Sequence, residues 1–296
     1  MNKFKLITFI LISFLLTQCS SQDDKSDAYG NFEADEITIS SEVSGRVISL
    51  NLEEGQQVAQ DELIAVIDTT QITLKIQELK EKLHALEATK NSVKNKILAQ
   101  EERIKTIRTE KRRVQKLLKD NAATDKQWDD ILGKLRVAEA NLKSLHSELD
   151  KVEYNKKSAH VKLRQLEDKL DKCYVKNPYK GTILEKYINK YEISAPGKPL
   201  YKIADLEDMY LRAYLSGEQI SQIQLGQQVT VKFDKNEEQE YSIPGEVTWI
   251  ADEAEFTPKI IQTKDVRVDL VYAAKIKVNN DGRIKIGMPG EVVFEQ

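Results

Sequence analysis

The chain has 296 residues, of which 31% are charged and 7% aromatic, and its net charge is -3 at pH 7. Lysine and glutamate are interspersed rather than blocked, which excludes the basic field that nucleic-acid binding requires. The few aromatic residues, with only 12 Gly and 6 Pro, favour long solvated helices combined with a modest amount of β structure.

The N-terminal segment has the pattern of an export signal. Two lysines precede an apolar run from Leu6 to Leu16, and polar sequence follows directly. This run is too short to span a bilayer comfortably, so residues 1–18 are interpreted as a signal peptide. The ending Leu16-Thr17-Gln18-Cys19 resembles a bacterial lipobox and predicts lipidation of Cys19; an uncleaved anchor and a simple secreted protein are the alternatives. Residues 19–29 are predicted to be a flexible tether.

Two β-rich stretches flank the centre of the chain. In residues 30–69, Ile37 and Ile39 alternate with polar residues, a strand surrounds Gly45, and an apolar strand ends at Asp68. Residues 173–206 repeat this pattern, and their last apolar strand ends at Asp205. The two stretches are therefore predicted to be the halves of one small β-sandwich, split by the residues between them.

The central region, residues 70–172, is predicted to be an antiparallel helical hairpin. Counting four and then three residues gives fourteen positions, eleven of them apolar, which is a sustained heptad seam. The first seam is Ile72, Ile76, Leu79, Leu83, Leu86, Lys90, Val93, Ile97, Gln100, Ile104, Ile107, Lys111, Val114 and Leu118. After a break at residues 120–125 the second seam is Trp128, Ile131, Leu135, Ala138, Leu142, Leu145, Leu149, Val152, Lys156, Ala159, Leu163, Leu166, Leu170 and Cys173.

A short connection between such helices makes them antiparallel. Folding the chain at the break pairs Leu118 with Trp128 and Ile72 with Cys173, and all other seam positions find a layer. One layer pairs Lys90 with Lys156. The first interpretation is that both stems pack while the ammonium groups extend outward, where Glu87 and Glu153, each one turn away on the same helix, can pair with Lys90 and Lys156. The alternative is a soft layer at which the hairpin bends.

Residues 207–296 are predicted to form a β-barrel. The strand candidates are residues 209–215, 229–233, 247–250, 267–271, 274–278 and 292–294, with a short helix between Ser216 and Leu225. Five or six strands are enough for a small barrel, and the strand near Gly30 is a candidate to join it.

The sequence contains no pattern typical of catalysis. No Ser-His-Asp, Cys-His or phosphate-cradling Gly loop appears, so the chain is predicted not to be an enzyme. The three histidines, His84, His146 and His160, are spread along the predicted helices, so no metal site is predicted. With Cys19 lipidated, Cys173 has no partner for an intramolecular disulfide.

From about Gly30 to Gln296 the chain resembles the HlyD-like membrane-fusion proteins, also called periplasmic adaptor proteins. The motifs that carry the resemblance are Gly45, Glu54-Gly55, Pro178 to Gly181, and Gly287-Met288-Pro289-Gly290. The resemblance implies an elongated, multidomain α+β fold: a coiled-coil α-hairpin inserted in a lipoyl-like β-sandwich, followed by a β-barrel. The hairpin replaces the turn that would carry a cofactor-bearing lysine, so no cofactor is expected.

The predicted hairpin tip also resembles a motif of this family. Arg113, Leu117 and Thr124 stand at the offsets of its Arg, Leu and Ser tip residues, with Thr124 in place of Ser. The resemblance implies that these three residues contact a TolC-like outer-membrane channel. The alternative is that Arg113 is an ordinary surface cation, Leu117 packs locally and Thr124 caps the second helix.

The resemblance further implies a lipid-anchored adaptor in the bacterial periplasm, held at the inner membrane and assembled as a homo-oligomeric, hexameric ring. Its expected partners are an inner-membrane transporter and the outer-membrane channel. The segment from Phe256 to Tyr272 resembles the subgroup that serves ABC-type exporters. Adaptors of proton-driven pumps usually continue into a further membrane-proximal domain after the barrel, and we expect none here. The alternatives are an adaptor of a proton-driven, RND-type pump and a structural envelope spacer; a metal or small-molecule binding module is disfavoured.

Overall fold

The computed structural model describes residues 26–236, 239–256 and 270–294. The predicted signal peptide and Cys19 lie outside these ranges. The described residues divide into two compact units, one within residues 38–203 and the other formed by residues 26–37 with those after 203. In chain order the elements are β1 (Ala28–Glu33), β2 (Glu36–Ser40), β3 (Gly45–Leu50), β4 (Gln57–Val58), β5 (Leu63–Ile67), α1 (Thr70–Lys119), α2 (Asp125–Asp171), β6 (Tyr174–Lys176), β7 (Gly181–Lys186), β8 (Ile193–Ser194), β9 (Pro199–Ala204), β10 (Asp208–Leu215), β11 (Gln228–Asn236), β12 (Gln239–Ile250), β13 (Glu255–Phe256), β14 (Leu270–Asn279) and β15 (Pro289–Val293).

The helices α1 and α2 form the predicted hairpin, and the heptad seams are confirmed. Every seam residue of both helices is buried or half-buried, as the a/d positions of a coiled coil must be. Ile104 packs in one cluster with Leu135, Ala138 and Leu142, and Ile72 packs with Cys173. Both contacts follow from the predicted register.

The lysine layer is also present. Packing of the lysine stems and pairing of the ammonium groups with Glu87 and Glu153 are confirmed, but the predicted same-helix partners are wrong, because each lysine pairs with the glutamate of the opposite helix. Lys90 Nζ lies 2.8 Å from Glu153, and Lys156 pairs with Glu87. Each ammonium group therefore pairs with a carboxylate of the opposite helix, while the lysine stems stay half-buried in the seam.

The hairpin enters and leaves the sandwich through two neighbouring strands. β5 and β6 pair antiparallel, with Ala65 opposite Val175, so the chain leaves the sandwich along one strand and returns along the next. Cys173 is fully buried where α2 meets β6, and its thiol donates to Lys169 O at 3.3 Å. Burial raises the pKa of this thiol, and Asp68 adds to the effect.

Two four-stranded sheets form the sandwich, in the orders β2-β9-β7-β4 and β6-β5-β3-β8. Replacing each strand by its counterpart from the other half of the sequence (β2 by β6, β3 by β7, β4 by β8, β5 by β9) converts one order into the other. The two halves are therefore related by a pseudo-twofold axis. Their shared core includes Val47, Ile64, Ile183 and Leu200, which confirms the predicted sandwich.

The turns before β4 and β8 show how this symmetry is only approximate. Gly55 has a φ of +83° before β4, a left-handed conformation that glycine adopts without strain. Tyr191 takes the equivalent position before β8 with a φ of +76°, and its side chain is 67% exposed. This is the loop at which the second half departs from the Glu-Gly turn of the first.

The strands of the other unit close into a barrel. The sheet order is β10-β1-β15-β11-β12-β14, and β14 pairs back with β10, so the sheet has no free edge along this circuit. The inward core includes Phe32, Leu211, Val231, Ile276 and Val292. The predicted barrel is confirmed.

Three details of this unit differ from the sequence prediction. β1 begins at Ala28, so the last two residues assigned to the tether are strand residues that pair with β10 and β15. Residues 274–278 are not a separate strand, because β14 runs without a break from Leu270 to Asn279 between β10 and β12; residues 267–269 lie outside the described ranges. β12 begins eight residues before the predicted Val247, at Gln239.

The close approach of β1 and β10 requires a glycine. A Cβ atom on Gly30 would lie 1.9 Å from the carbonyl oxygen of Arg212, a separation that no side chain tolerates. Gly30 therefore allows the N-terminal strand to complete the barrel wall.

Candidate functional site

The candidate site is the tip of the hairpin, where a left-handed residue ends α1. Asn121 has a φ of +58°, its N–H donates to Leu118 O at 3.1 Å, and the next N–H, of Ala122, donates to Leu117 O at 2.7 Å. These two bonds form a Schellman motif, which satisfies the last carbonyl groups of the helix. The chain direction at the tip is therefore determined by backbone hydrogen bonds.

A capping box begins α2 directly after this turn. The Gln127 N–H donates to Thr124 Oγ1 at 3.3 Å, and the Thr124 N–H donates to Gln127 Oε1 at 2.8 Å. Thr124 adopts an extended backbone conformation, as N-cap residues do. The predicted alternative role of Thr124, as a helix cap, is thus confirmed, and it leaves the contact role open because the side chain is exposed.

The structure places Arg113 and Leu117 one helical turn apart on α1, and Thr124 on the other side of the turn. All three side chains are exposed, and Leu117 is 40% exposed. The side-chain hydrogen bonds of Thr124 are made with Gln127, so the three predicted residues share the tip without forming a bonded cluster.

Leu117 also lines an open groove of about 230 Å³ on one flank of the tip. Val114, Ala122 and Ile131 contribute apolar surface, and Glu110, Asp130 and Lys134 contribute charged groups. The sequence prediction did not include this groove, although the adjacent small residues at positions 122 and 123 are a signal for it. Asn121 and Gln127 were also missed; the spacing Thr-x-x-Gln is the sequence signal of the capping box.

The seam beneath the tip is closed by an aromatic residue. Trp128 is half-buried at the end of the second seam, and Lys111 Nζ lies 5.8 Å from the centre of its ring. This distance permits a cation–π contact, which connects α1 and α2 close to the exposed residues.

Within residues 26–236, 239–256 and 270–294, no group of three or more His, Cys, Asp or Glu side chains converges as metal ligands would. His84, His146 and His160 are exposed on the helices. In the same ranges, no helix combines the length and hydropathy of a membrane span.

Comparison with known families matches most of the chain. Residues 35–232 match the family model described as RND MFP, barrel-sandwich hybrid domain. Residues 205–294 match the model described as LcnD-like, C-terminal domain. Together these matches include the sandwich, the hairpin and the barrel strands after β1.

Similar proteins occur in bacteria. A UPF0194 membrane protein of Yersinia enterocolitica is 26% identical, and the alignment covers 100% of both chains. A UPF0194 membrane protein of Acidithiobacillus ferridurans is 23% identical, over 93% of this chain and 88% of its own.

Solved structures share the fold. MacA from Actinobacillus actinomycetemcomitans has a TM-score of 0.65 and 23% identity, covering 90% of this chain and 76% of its own. The membrane fusion protein Spr0693 from Streptococcus pneumoniae R6 has a TM-score of 0.53 and 14% identity, covering 90% of this chain and 98% of its own. At these identities the likeness shows the architecture: a hairpin inserted between the halves of a sandwich and followed by a barrel.

Proposed function

Because this chain belongs to the membrane fusion protein family, whose barrel-sandwich hybrid domain it carries, we propose that it is a periplasmic adaptor that links an inner-membrane transporter to a TolC-like outer-membrane channel for export. Members of this family are non-enzymatic structural proteins. The adaptor therefore acts by assembling a passage and by transmitting motion, and no catalytic step is assigned to it.

The observation that carries the proposal is the hairpin with its ordered tip. α1 has 50 residues, which at about 1.5 Å per residue gives a length of about 75 Å. The Schellman turn and the capping box hold a fixed surface at the end of this length. A rigid tip at the end of a long hairpin suits an adaptor that meets a distant partner, with Arg113, Leu117 and Thr124 as the proposed contacts to the outer-membrane channel.

The inner-membrane partner is proposed to be an ABC-type exporter. The support is that the segment from Phe256 to Tyr272 resembles adaptors of that class. Most of this segment lies outside the described ranges. A proton-driven, RND-type pump is the alternative. Co-purification of the chain with an ATPase supports the first partner, and co-purification with a proton antiporter supports the second.

Lipidation of Cys19 is proposed to hold the adaptor at the inner membrane. Eight residues lie between Cys19 and Ala28, the first residue of β1, so nine extended residue steps join them and span at most about 30 Å. The start of β1 would therefore lie within about 30 Å of the bilayer. Globomycin-sensitive processing and a mass increase of diacylglycerol size on Cys19 would test the anchor.

The adaptor is further proposed to work as a homo-oligomeric, hexameric ring. A ring of sandwiches would enclose the passage, and the hairpins would stand side by side around it. Native mass spectrometry of the detergent-extracted protein measures the number of copies directly; a monomer at all concentrations contradicts this part of the proposal.

In-cell cross-linking tests the channel contact. Photoreactive residues are placed at Leu117 and Thr124, and a matched control is placed at Leu98, which is 60% exposed on the same helix but lies far from the tip. Adducts to an outer-membrane channel from the tip positions, and none from Leu98, support the adaptor function. If export continues and the tip forms adducts only with copies of the same chain, the spacer interpretation replaces it.

A further inference from the structure

The lysine layer is built from two ion pairs that cross the hairpin. Lys90 and Lys156 occupy facing seam positions, and their side chains are 20% and 31% exposed. Lys90 pairs with Glu153 on α2, and Lys156 pairs with Glu87 on α1. Each helix therefore contributes one seam lysine and one carboxylate, and each carboxylate neutralises the lysine of the other helix.

The cohesion of this layer depends on those carboxylates. The next layer toward the tip is Val93 with Val152, both buried, and it gains stability from apolar contact alone. The lysine layer has no comparable apolar pair. Without Glu87 and Glu153, two half-buried ammonium groups would face each other, which combines like-charge repulsion with incomplete hydration.

Both carboxylates lie on the same flank of the hairpin. Glu87 and Glu153 each follow a seam residue directly, Leu86 and Val152 respectively. The structure describes α1 and α2 completely, and every other charged residue of these helices outside the seam is exposed. At the lysine layer, this flank is therefore held together by the two ion pairs.

The opposite flank is open next to the layer. An unfilled groove of about 690 Å³ lies over Leu79, Leu86, Ala159 and Leu166, toward the base of the hairpin. Its edges include Lys82, which directly precedes a seam residue and so lies on the side opposite Glu87. Ala159 faces Leu86 in the register, and its short side chain leaves the space unfilled. Contact between the helices is consequently weak on this part of the flank; toward the tip, Lys96 Nζ and Glu148 Oε1 lie 3.7 Å apart across the same flank.

We propose that Glu87, Lys90, Glu153 and Lys156 form an electrostatic clasp that determines where the hairpin opens: the ion pairs close one flank, and loss of either pair separates the helices at this layer before any other. This inference stands on the geometry of α1 and α2 and does not depend on the export function. It identifies the two glutamates as positioning residues for the seam lysines.

The charged surroundings favour the ionised form of the clasp. Hydrogen bonding from Lys156 lowers the pKa of Glu87, and hydrogen bonding from Lys90 lowers the pKa of Glu153. The positive charge of Lys94 on α1 also lowers the pKa of both carboxylates, and the charge of Lys157 on α2 lowers that of Glu153. His160, one turn along α2 from Lys156, is exposed.

Hydrogen–deuterium exchange of the full chain tests the clasp. In the double variant E87Q/E153Q we expect amide exchange in residues 83–97 and 149–163 to rise by about tenfold, with exchange near the tip unchanged. The matched control is E139Q, which removes the 2.9 Å ion pair with Arg108 beside an apolar layer; it should change local exchange less than twofold. Unchanged exchange in the double variant, or an equal rise along the whole hairpin, overturns the proposal.

Charge reversal separates the clasp from a general effect of mutation. K90E alone should raise exchange at the layer, because it places Glu beside Glu153. The double variant K90E/E153K restores an ion pair of opposite orientation and should return exchange to within about twofold of the wild-type value. If the double variant exchanges as fast as K90E, the pairing of these groups does not hold the layer and the proposal is wrong.

Discussion

Substitution of Thr124 separates the two roles assigned to this residue. Thr124→Ala removes the hydroxyl that accepts from the Gln127 N–H at 3.3 Å, while the reciprocal 2.8 Å bond from the Thr124 N–H to Gln127 remains possible. Thr124→Ser keeps the hydroxyl and removes only a methyl group. The pair of variants therefore compares loss of the cap with its retention at the same exposed position.

The expected effect on stability follows from the cap. Loss of an N-cap hydroxyl costs about 0.5–2 kcal/mol. The 3.3 Å bond is long, and half of the capping box survives in Thr124→Ala, so the lower part of that range, about 0.5–1 kcal/mol, is expected. Thr124→Ser should stay within about 0.3 kcal/mol of the wild type, because Ser and Thr are both effective caps.

Urea unfolding followed by helical circular dichroism measures this difference, and co-purification with the outer-membrane channel is measured on the same variants. If Thr124 acts as a cap and as a contact, Thr124→Ala lowers both stability and channel binding while Thr124→Ser preserves both. An unchanged unfolding midpoint in Thr124→Ala would refute the capping argument. Loss of channel binding with unchanged stability would assign Thr124 to the contact alone.

Three further predictions concern the packing, the backbone and the ionisation of the protein. Ile104→Ala removes a seam side chain that is only 4% exposed and should lower the free energy of unfolding by about 2–5 kcal/mol, measured by urea unfolding. Gly55→Ala should cost about 1–2 kcal/mol because φ is +83° although the space is open, whereas Tyr191→Gly should be neutral or stabilising by up to about 1 kcal/mol, both measured by thermal unfolding. The pKa values of Glu87 and Glu153 are lowered in the folded state. Their contribution to stability is therefore complete above the ordinary carboxyl pKa of about 4.3 and is lost as pH falls through the lowered values. The melting temperature of the wild type should consequently fall more steeply below about pH 5 than that of E87Q/E153Q.

Each of these predictions has a control or a contradicting result. For the seam, Leu98→Ala truncates a 60% exposed side chain of the same helix and should change stability by less than about 0.5 kcal/mol; an equal loss in both variants contradicts the seam assignment. A large loss of stability in Tyr191→Gly would show that the tyrosine ring, and not the backbone, determines the fold of that turn. Parallel pH curves for wild type and E87Q/E153Q would show that the ion pairs do not contribute.

The tip shows how far sequence patterns predict a functional surface. The spacing of Arg113, Leu117 and Thr124 was sufficient to place all three at the end of the hairpin, because helical periodicity and a short break determine where a hairpin turns. The pattern did not predict the groove beside Leu117, since a groove depends on how the side chains of two helices fill the space between them. It also could not decide whether the Thr124 hydroxyl points to solvent or to the Gln127 N–H.

The barrel illustrates a second limit. Strands such as β10 and β11 alternate apolar and polar residues, and this alternation predicted them correctly. The residues at the start of β1 show no such alternation, so their place in the barrel is seen only from their pairing with the distant β10 and β15. The prediction of separate strands within residues 270–278 was wrong for a related reason: the continuity of β14 is seen only from its pairing with the two strands beside it.

The sequence by itself determined the hairpin, its register and the arrangement of a sandwich split by an insertion. These features follow from periodic patterns and chain connectivity, which are local properties. Only the tertiary structure decided that Gly30 completes the barrel wall, that Tyr191 occupies a position glycine holds in the other half of the sandwich, and that Glu87 and Glu153 pair across the seam. Each of these depends on groups that are far apart in sequence, and such contacts exist only after the chain has folded.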